Sequence, residues 1–394
     1  MKVLKWFSLL VCSLLIGNSL VYSQDKEFQS FLLKSYIENK SGYKTELPII
    51  KNLNNFTIIN VAIDGKNLNF IFDTGSMISL ISEKAVGDSK KLKKIALTDG
   101  NGKKEKVNTL KKDIELNNVK FKEIGFAVID FEHLNKYSCI QIDGILGANA
   151  IRLCNWQINY SNKTLKLSDE PFSMVSTTAF DIELKFHNQL LPLLDLNYKG
   201  DNFLTLLDTG YNNTLSINKN FYSTSKQLKG LSFVEGNGVF SGTYKNLKEQ
   251  EVKKVVLDTL RINSNLFTNI KSYITDEKPL IGYGFLKDYI TTINIETKKL
   301  YLEPLNKNIN IDFDFSFTYN KKNELIIAFV WNNSQLKKDG IEFGDKIIKF
   351  NGKDIDKINK KDYCDLKESL ESKNKLEITV LKDKKEFSYT IMKN

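Results

Sequence analysis

The chain has 394 residues, with 57 Lys and Arg against 47 Asp and Glu and a hydrophobic fraction of 41%. At about 150 residues per domain, this length suits two to three domains. The apolar fraction excludes wholesale disorder, and 21 Gly beside 25 Phe and 16 Tyr exclude a collagen-like or coiled-coil chain. The formal charge of +10 does not mark a nucleic-acid binder. Arg occurs only at Arg152 and Arg261, whereas bidentate phosphate and guanine contacts favour Arg. The lysines are spread among acids, the pattern of a solvated surface.

The predicted elements begin with an export signal. Lys2 and Lys5 precede an apolar run from Trp6 to Leu20, and Val21-Tyr22-Ser23 resembles a signal-peptidase site. Residues 1–23 are therefore expected to be a signal peptide, and the mature chain an exported protein, periplasmic or secreted. No later stretch is apolar enough to span a bilayer. Residues 24–45 form a lead segment whose status as a removable pro-segment stays open. After cleavage, Cys139, Cys154 and Cys364 remain, an odd number that allows one internal bridge at most. A Cys139–Cys154 bridge would close a loop of about 15 residues, worth roughly 3 kcal/mol in chain entropy. There is no Cys-x-x-Cys, and His133 and His187, the only histidines, are expected at the surface or in loops. No metal and no cofactor are predicted.

An internal repeat then runs through two thirds of the chain. Asp73-Thr74-Gly75 recurs as Asp208-Thr209-Gly210, and Ile145-Leu146-Gly147 recurs as Leu280-Ile281-Gly282, both at an offset of 135. The same offset pairs Gly65 with Gly200, Leu80 with Leu215, Ile158 with Ile293 and Leu165 with Leu300. Such a unit is too long for a solenoid and suits two lobes of one architecture. The local patterns are those of strands. Thr57 to Ile63 alternates before the turn Asp64-Gly65, and Phe70-Ile71-Phe72 and Phe203 to Leu207 each lead into an Asp-Thr-Gly turn. Asp99-Gly100-Asn101-Gly102 and Glu235-Gly236-Asn237-Gly238 read as hairpin turns.

Each Asp-Thr-Gly puts a carboxylate at the tip of a tight turn, where Gly lets the backbone approach closely. If the lobes pack about a pseudo-two-fold axis, Asp73 and Asp208 meet. Two carboxylates that close cannot both ionise easily, so one stays protonated while the other is charged. Together they can work as general base and general acid on a water and a peptide carbonyl.

On these residues the chain resembles the aspartic proteases, most closely the bacterial retropepsin-like group with duplicated lobes. The resemblance rests on Phe72-Asp73-Thr74-Gly75-Ser76, Leu207-Asp208-Thr209-Gly210 and the Gly147 and Gly282 segments, over about residues 46 to 305. It implies a mainly β, bilobed pepsin/retropepsin-like fold with lobes at 46–172 and 173–305. It also implies extended peptide substrates and hairpin flaps at Gly100-Asn101-Gly102 and Gly236-Asn237-Gly238. Asp73 and Asp208 would be the catalytic pair, Thr74 and Thr209 the inter-lobe hydrogen bonders, and Gly75 and Gly210 the points of close substrate approach. Gly147 and Gly282 would cross behind the turns, and Ser76 matches the small residue expected after the first Gly. The second turn departs from the pattern with Tyr211, and Tyr244 is a candidate flap tyrosine. Trp156, flanked by Ile158 and Tyr160 at strand spacing, reads as core.

Past Pro304, the Lys/Asn-rich stretch Asn306 to Asn310 reads as a linker, and residues 306–394 show their own pattern. Leu325 to Val330 reads as a strand, Tyr363 to Glu371 has helical spacing, and Leu376 to Leu381 and Phe387 to Met392 read as closing strands. With Asp339 to Gly352 standing where Ala-Gly-Leu-x-x-Gly-Asp and Asn-Gly are usual, this part resembles a PDZ domain of the circularly permuted bacterial type, an α+β fold. The resemblance implies a peptide added to a sheet edge beside a helix. Phe315-Ser316-Phe317 would be the carboxylate loop, Leu325 and Ile327 part of the receiving strand, and Tyr363 the residue at the helix start. The expectation is thus an exported, monomeric aspartic endopeptidase whose PDZ-like domain recruits substrate or partner. The alternative is a peptide-binding protein or envelope scaffold in which Tyr211 has disabled the cleft.

Overall fold

The structure is a computed structural model that describes residues 26–394, apart from 40, 54, 88–91, 99–103, 175, 189, 242–246, 277, 306–312, 372 and 394. The expected signal peptide, the first flap turn Gly100-Asn101-Gly102, Tyr244 and the linker Asn306 to Asn310 lie outside the described residues. The rest is mainly β.

The lead segment is built into the first half. Helix α1 (Lys26–Leu33) buries Phe28, Phe31 and Leu32, and Lys44–Pro48 pairs with Thr164–Ser168. Truncating Leu32 to Ala should cost about 2–5 kcal/mol, the range for a buried Leu, as read by urea unfolding. A change within a few tenths of zero would mean that α1 is dispensable.

The first half then runs through β1 (Ile58–Ile63), β2 (Lys66–Phe72), β3 (Ser79–Ser82), β4 (Lys94–Thr98), β5 (Lys104–Leu116), β6 (Val119–Ile129), helix α2 (Glu132–Tyr137) and β7 (Gly144–Leu146). The β-branched, alternating residues of β1 make it a strand with Val61 and Ile63 inward. Asp64 and Gly65 take φ of 50° and 75°, the left-handed pair a tight hairpin needs. The second half offers β8 (Leu191–Tyr198), β9 (Asp201–Leu207), β10 (Leu215–Asn218), β11 (Phe233–Ser241), β12 (Leu247–Ile262), β13 (Asn265–Thr275) and β14 (Leu280–Ile281).

The two halves share one pairing plan. The hairpins β1–β2, β4–β5 and β5–β6 correspond to β8–β9, β11–β12 and β12–β13. The parallel pairs β2–β7 and β3–β6 correspond to β9–β14 and β10–β13. Antiparallel β3–β7 matches β10–β14, and β1–β5 matches β8–β12. Each half encloses its own apolar core, with Trp156 fully buried edge-on to Phe72 at 4.8 Å. A six-stranded sheet joins them, and at its centre Gln157 pairs with Thr292 and donates to its Oγ1 at 3.1 Å. These two residues are 135 apart in sequence, so the symmetry relating the halves passes between them.

The C-terminal part contains β15 (Phe315–Tyr319), β16 (Leu325–Trp331), β17 (Lys346–Phe350), helix α3 (Lys360–Glu371), β18 (Lys375–Lys382) and β19 (Lys385–Met392) around a core of its own. Helix α3 starts where the Asn359 side chain accepts from the Asp362 amide at 2.9 Å, an N-cap bond.

Three expectations are corrected here. Gly236-Asn237-Gly238 is not a turn. It lies inside β11, with Gly236 opposite Val252 on one side and Trp331 on the other. A Cβ on Gly238 would stand 2.3 Å from the Ala328 carbonyl oxygen, so these glycines let β11 close onto β16. Leu325 and Ile327 do not offer a receiving edge either. Their strand β16 has β15 on one side and β17 and β11 on the other, and β15, a strand rather than a loop, is the outer one. Finally, Cys139 bonds to Cys364, not to Cys154, which is buried and free. Residue 364 is 225 positions away in sequence, and only the docking of α3 against the loop after α2 brings the sulfurs together.

Candidate active site

Asp73 and Asp208 follow the apolar ends of β2 and β9. The Asp73 amide donates to the Leu146 carbonyl at 3.0 Å and the Asp208 amide to the Ile281 carbonyl at 2.9 Å, so the parallel partners β7 and β14 fix both turns from behind. In the first turn the Gly75 and Ser76 amides donate to Asp73 Oδ1 at 2.8 and 3.0 Å. In the second, the Gly210 and Tyr211 amides donate to Asp208 Oδ1 at 2.9 and 3.1 Å. Carboxylates held by two backbone donors are oriented as well as charge-stabilised.

The turns are locked to each other by their threonines. Thr74 Oγ1 donates to the Leu207 carbonyl at 2.6 Å and accepts from the Thr209 amide at 3.1 Å. Thr209 Oγ1 donates to the Phe72 carbonyl at 2.8 Å and accepts from the Thr74 amide at 3.1 Å. All four groups are buried, and a hydroxyl is the one small side chain that can donate and accept at once. The glycines bring the carboxyls together. A Cβ on Gly75 would lie 2.3 Å from Asp208 Cγ, and one on Gly210 would lie 2.6 Å from Asp73 Cγ.

The two carboxyls hydrogen-bond to each other. Burial pushes both up from the usual carboxylate range, and Asp208 goes well above it because the Asp73 charge adds to the desolvation. The Asp73 charge is favoured by the Asp208 bond and by its two backbone donors, and burial and mutual repulsion favour a single proton shared by the pair. A carboxyl raised in the folded state stabilises the fold while protonated, and that contribution is lost as pH rises through the raised value. Asp208→Asn should therefore unfold at higher temperature than the parent at about pH 8, with the gain gone near about pH 3. Thermal scans at the two pH values measure this, and an equal shift at both would show that Asp208 is not raised.

Gly147 and Gly282 sit behind the turns. The Ala148 amide donates to the Ser76 carbonyl at 2.7 Å and the Tyr283 amide to the Tyr211 carbonyl at 2.8 Å. The turns differ beneath. In the first, Asn149 accepts from Ser79 through both its amide (2.7 Å) and its hydroxyl (2.8 Å), and donates to the Gly125 carbonyl at 2.8 Å. In the second, Gly284 stands in place of Asn149. Sequence reasoning missed this buried network; its signal was a polar residue inside the apolar run Ile145 to Ile151.

Strands β4 and β5 pair to Thr98 opposite Lys104, and the expected flap turn between them lies outside the described residues. Tyr211 adds its amide to the Asp208 carboxylate and is among the residues that line a cavity of about 610 Å³. That cavity also takes in Phe315, Ser316, Phe317 and Tyr363, whereas Leu325 and Ile327 are core. His133 stands on α2 at the cavity wall rather than in a loop, and His187 ends the strand Lys185–His187. Among the described residues, no group of three His, Cys, Asp or Glu could hold a metal ion, and no helix is long and apolar enough to cross a membrane.

No curated protein matches the chain. A family model described as aspartyl protease matches residues 59–150, the stretch from β1 through β7 that carries Asp73, Thr74, Gly75 and Gly147.

Proposed function

We propose that the protein is an aspartic endopeptidase that arose by internal duplication, with Asp73 and Asp208 as its catalytic pair. The observation that carries this reading is the crossed arrangement in which each turn's glycine abuts the opposite carboxyl and each threonine bonds the opposite strand. Asp73, as the charged member, takes a proton from a water between the carboxyls while the oxygen attacks the peptide carbon. Asp208 gives its proton to the carbonyl oxygen. Asp73 then returns its proton to the leaving nitrogen as the C–N bond breaks, and one of the two gem-diol hydroxyls gives its proton back to Asp208. Water is consumed, one carboxyl and one amine form, and the pair ends with the single proton it began with.

Tyr211 does not argue for a disabled cleft. It supplies the same backbone donor as Ser76, and both carboxyls are present. We further propose export through the N-terminal signal, action as a monomer, and a PDZ-like recruiting role for the C-terminal part. Digestion of a diverse peptide library across about pH 3 to 8 in ¹⁸O-water tests the reaction class. Wild type should place one ¹⁸O in each new carboxyl, and Asp73→Asn should release nothing. Cleavage by that variant would overturn the reading.

A further inference from the structure

We propose that helix α1 stops the substrate cleft at the first catalytic turn. A bound peptide then extends freely past the second turn only, and the bond that is cut lies close to one of its ends. The inference rests on the peptidase reading above and names the class of substrate: short peptides and chain ends rather than the interior of long chains.

The approximate dyad relates two spaces beside the catalytic turns. At the second turn, Gly210, Asn212 and Phe56 border the cavity of about 610 Å³. Gly210 is also the residue whose Cβ would lie 2.6 Å from Asp73 Cγ, so this space reaches the neighbourhood of the carboxyl pair. The offset of 135 carries Gly210 onto Gly75, Asn212 onto Met77 and Leu191 onto Phe56. At the first turn, Met77 and Leu190 line a space of only about 10 Å³ together with Phe28, Gln29, Leu32 and Leu33 of α1. That is about the room one water needs. Leu191, Leu33 and Met77 pack against the same apolar cluster, which includes Phe28 and Leu32. The place that stands open in one half is filled by a helix in the other.

Helix α1 belongs to one half alone. The offset carries Lys26–Leu33 onto residues 161–168, which form a turn and the strand Thr164–Ser168 of the joining sheet. The helix is therefore an addition to the repeated plan, and it is firmly fastened. Phe31 packs where Gly125 leaves room, since a Cβ on that glycine would stand 2.7 Å from the Phe31 ring. Arg152 Nη2 donates to the Leu33 and Ser35 carbonyls at the helix C-terminus, where a cation also meets the negative end of the helix dipole. Glu27 pairs with Lys93 at 2.9 Å, which ties α1 to the foot of the β4–β5 hairpin. The chain after the helix, Tyr36–Ile37, then pairs with β6. An element held in this way is a fixed stop, not a segment that swings aside.

A peptide whose bond lies between Asp73 and Asp208 runs past Gly210 in one direction and past Gly75 in the other, because the dyad makes the two turns equivalent neighbours of that bond. Beyond Gly210 it finds open space. Beyond Gly75 it meets Met77 backed by α1. Each extended residue advances the chain by about 3.3 Å, so few residues fit on that side before the helix is reached.

The test uses the full chain and a peptide that it cuts, lengthened with alanine one residue at a time on either side of the cleaved bond. On one side kcat/KM should tolerate growth. On the other it should fall at least about tenfold once a short limit is passed, the size of effect that a steric clash produces. The side that falls gives the direction in which the peptide lies. Gln29→Ala combined with Leu33→Ala trims the helix face beside Met77. Compared with the shortest peptide on the same variant, the limit should move outward. Gln29→Trp should move it inward. Neither variant should alter tolerance on the permissive side, whereas a merely weakened fold would slow every length alike. A labelled copy of the ladder binding to Asp208→Asn, read by anisotropy, should show the same one-sided limit without cleavage. Equal tolerance on both sides, or a limit that ignores both α1 variants, would overturn the inference. One-sided binding with no hydrolysis by the intact chain would overturn the peptidase reading instead and leave the stop standing.

Discussion

Replacing Asp208 with Asn should lower kcat for peptide hydrolysis by at least about 10³-fold, and Asp73→Asn should do the same, since losing a positioned acid or base alone costs about 10² to 10⁴. The double variant should be no slower than either single one, because the two carboxyls work on one water as a unit. The structure gives the reason. Each carboxyl is held by two amides of its own turn and packed against the glycine of the other turn, so Asn at either place keeps the shape but removes the shared proton. Progress curves with a quenched fluorescent peptide measure this directly. Losses that multiply in the double variant would mean that the two residues act independently.

The second large effect is on stability. Converting Cys139 and Cys364 together to Ser opens a link across 225 residues, for which the chain-entropy estimate is about 5 kcal/mol. The bridge is one of several ties between the C-terminal module and the two halves, since Lys51 and Glu371 still pair and β11 still joins β16. The C-terminal module should therefore remain docked under native conditions but detach at lower urea than in the parent. A Trp331 fluorescence transition that moves ahead of the global one would report this, because Trp331 sits opposite Gly236 at the junction. An unchanged midpoint would show that the bridge adds nothing to docking.

The parts of the site that could be read from sequence are those the offset of 135 repeats. Asp73 with Asp208, Thr74 with Thr209 and Gly147 with Gly282 occupy matching places because both halves use the same seven strand pairings. Strand alternation and turn glycines sufficed for β1, β2 and the Asp64-Gly65 turn, where local chemistry alone decides the backbone. What depended on docking was not legible. Gly236-Asn237-Gly238 has the composition of a hairpin turn, yet its glycines serve close approach to Phe329 and Ala328. Cys139 has a nearer candidate in Cys154, but that thiol is enclosed in the first core beside Trp156 and Ile158. Nor could sequence alone tell whether β16 is an edge strand, because both β15 and β16 are apolar runs and only the pairing order shows that β16 is covered on both sides.

The central claim is that two aspartates share one proton across the junction of the halves. Titration of the chain with ¹³C-labelled aspartate carboxyls, followed by NMR, tests this most directly. The parent should show one carboxyl titrating well above the ordinary range, and that signal should vanish in Asp208→Asn, while the Asp73 resonance should titrate higher than in the parent, because it keeps its burial and loses the Asp208 bond. Two carboxyls that titrate normally and do not respond to each other's replacement would contradict the account.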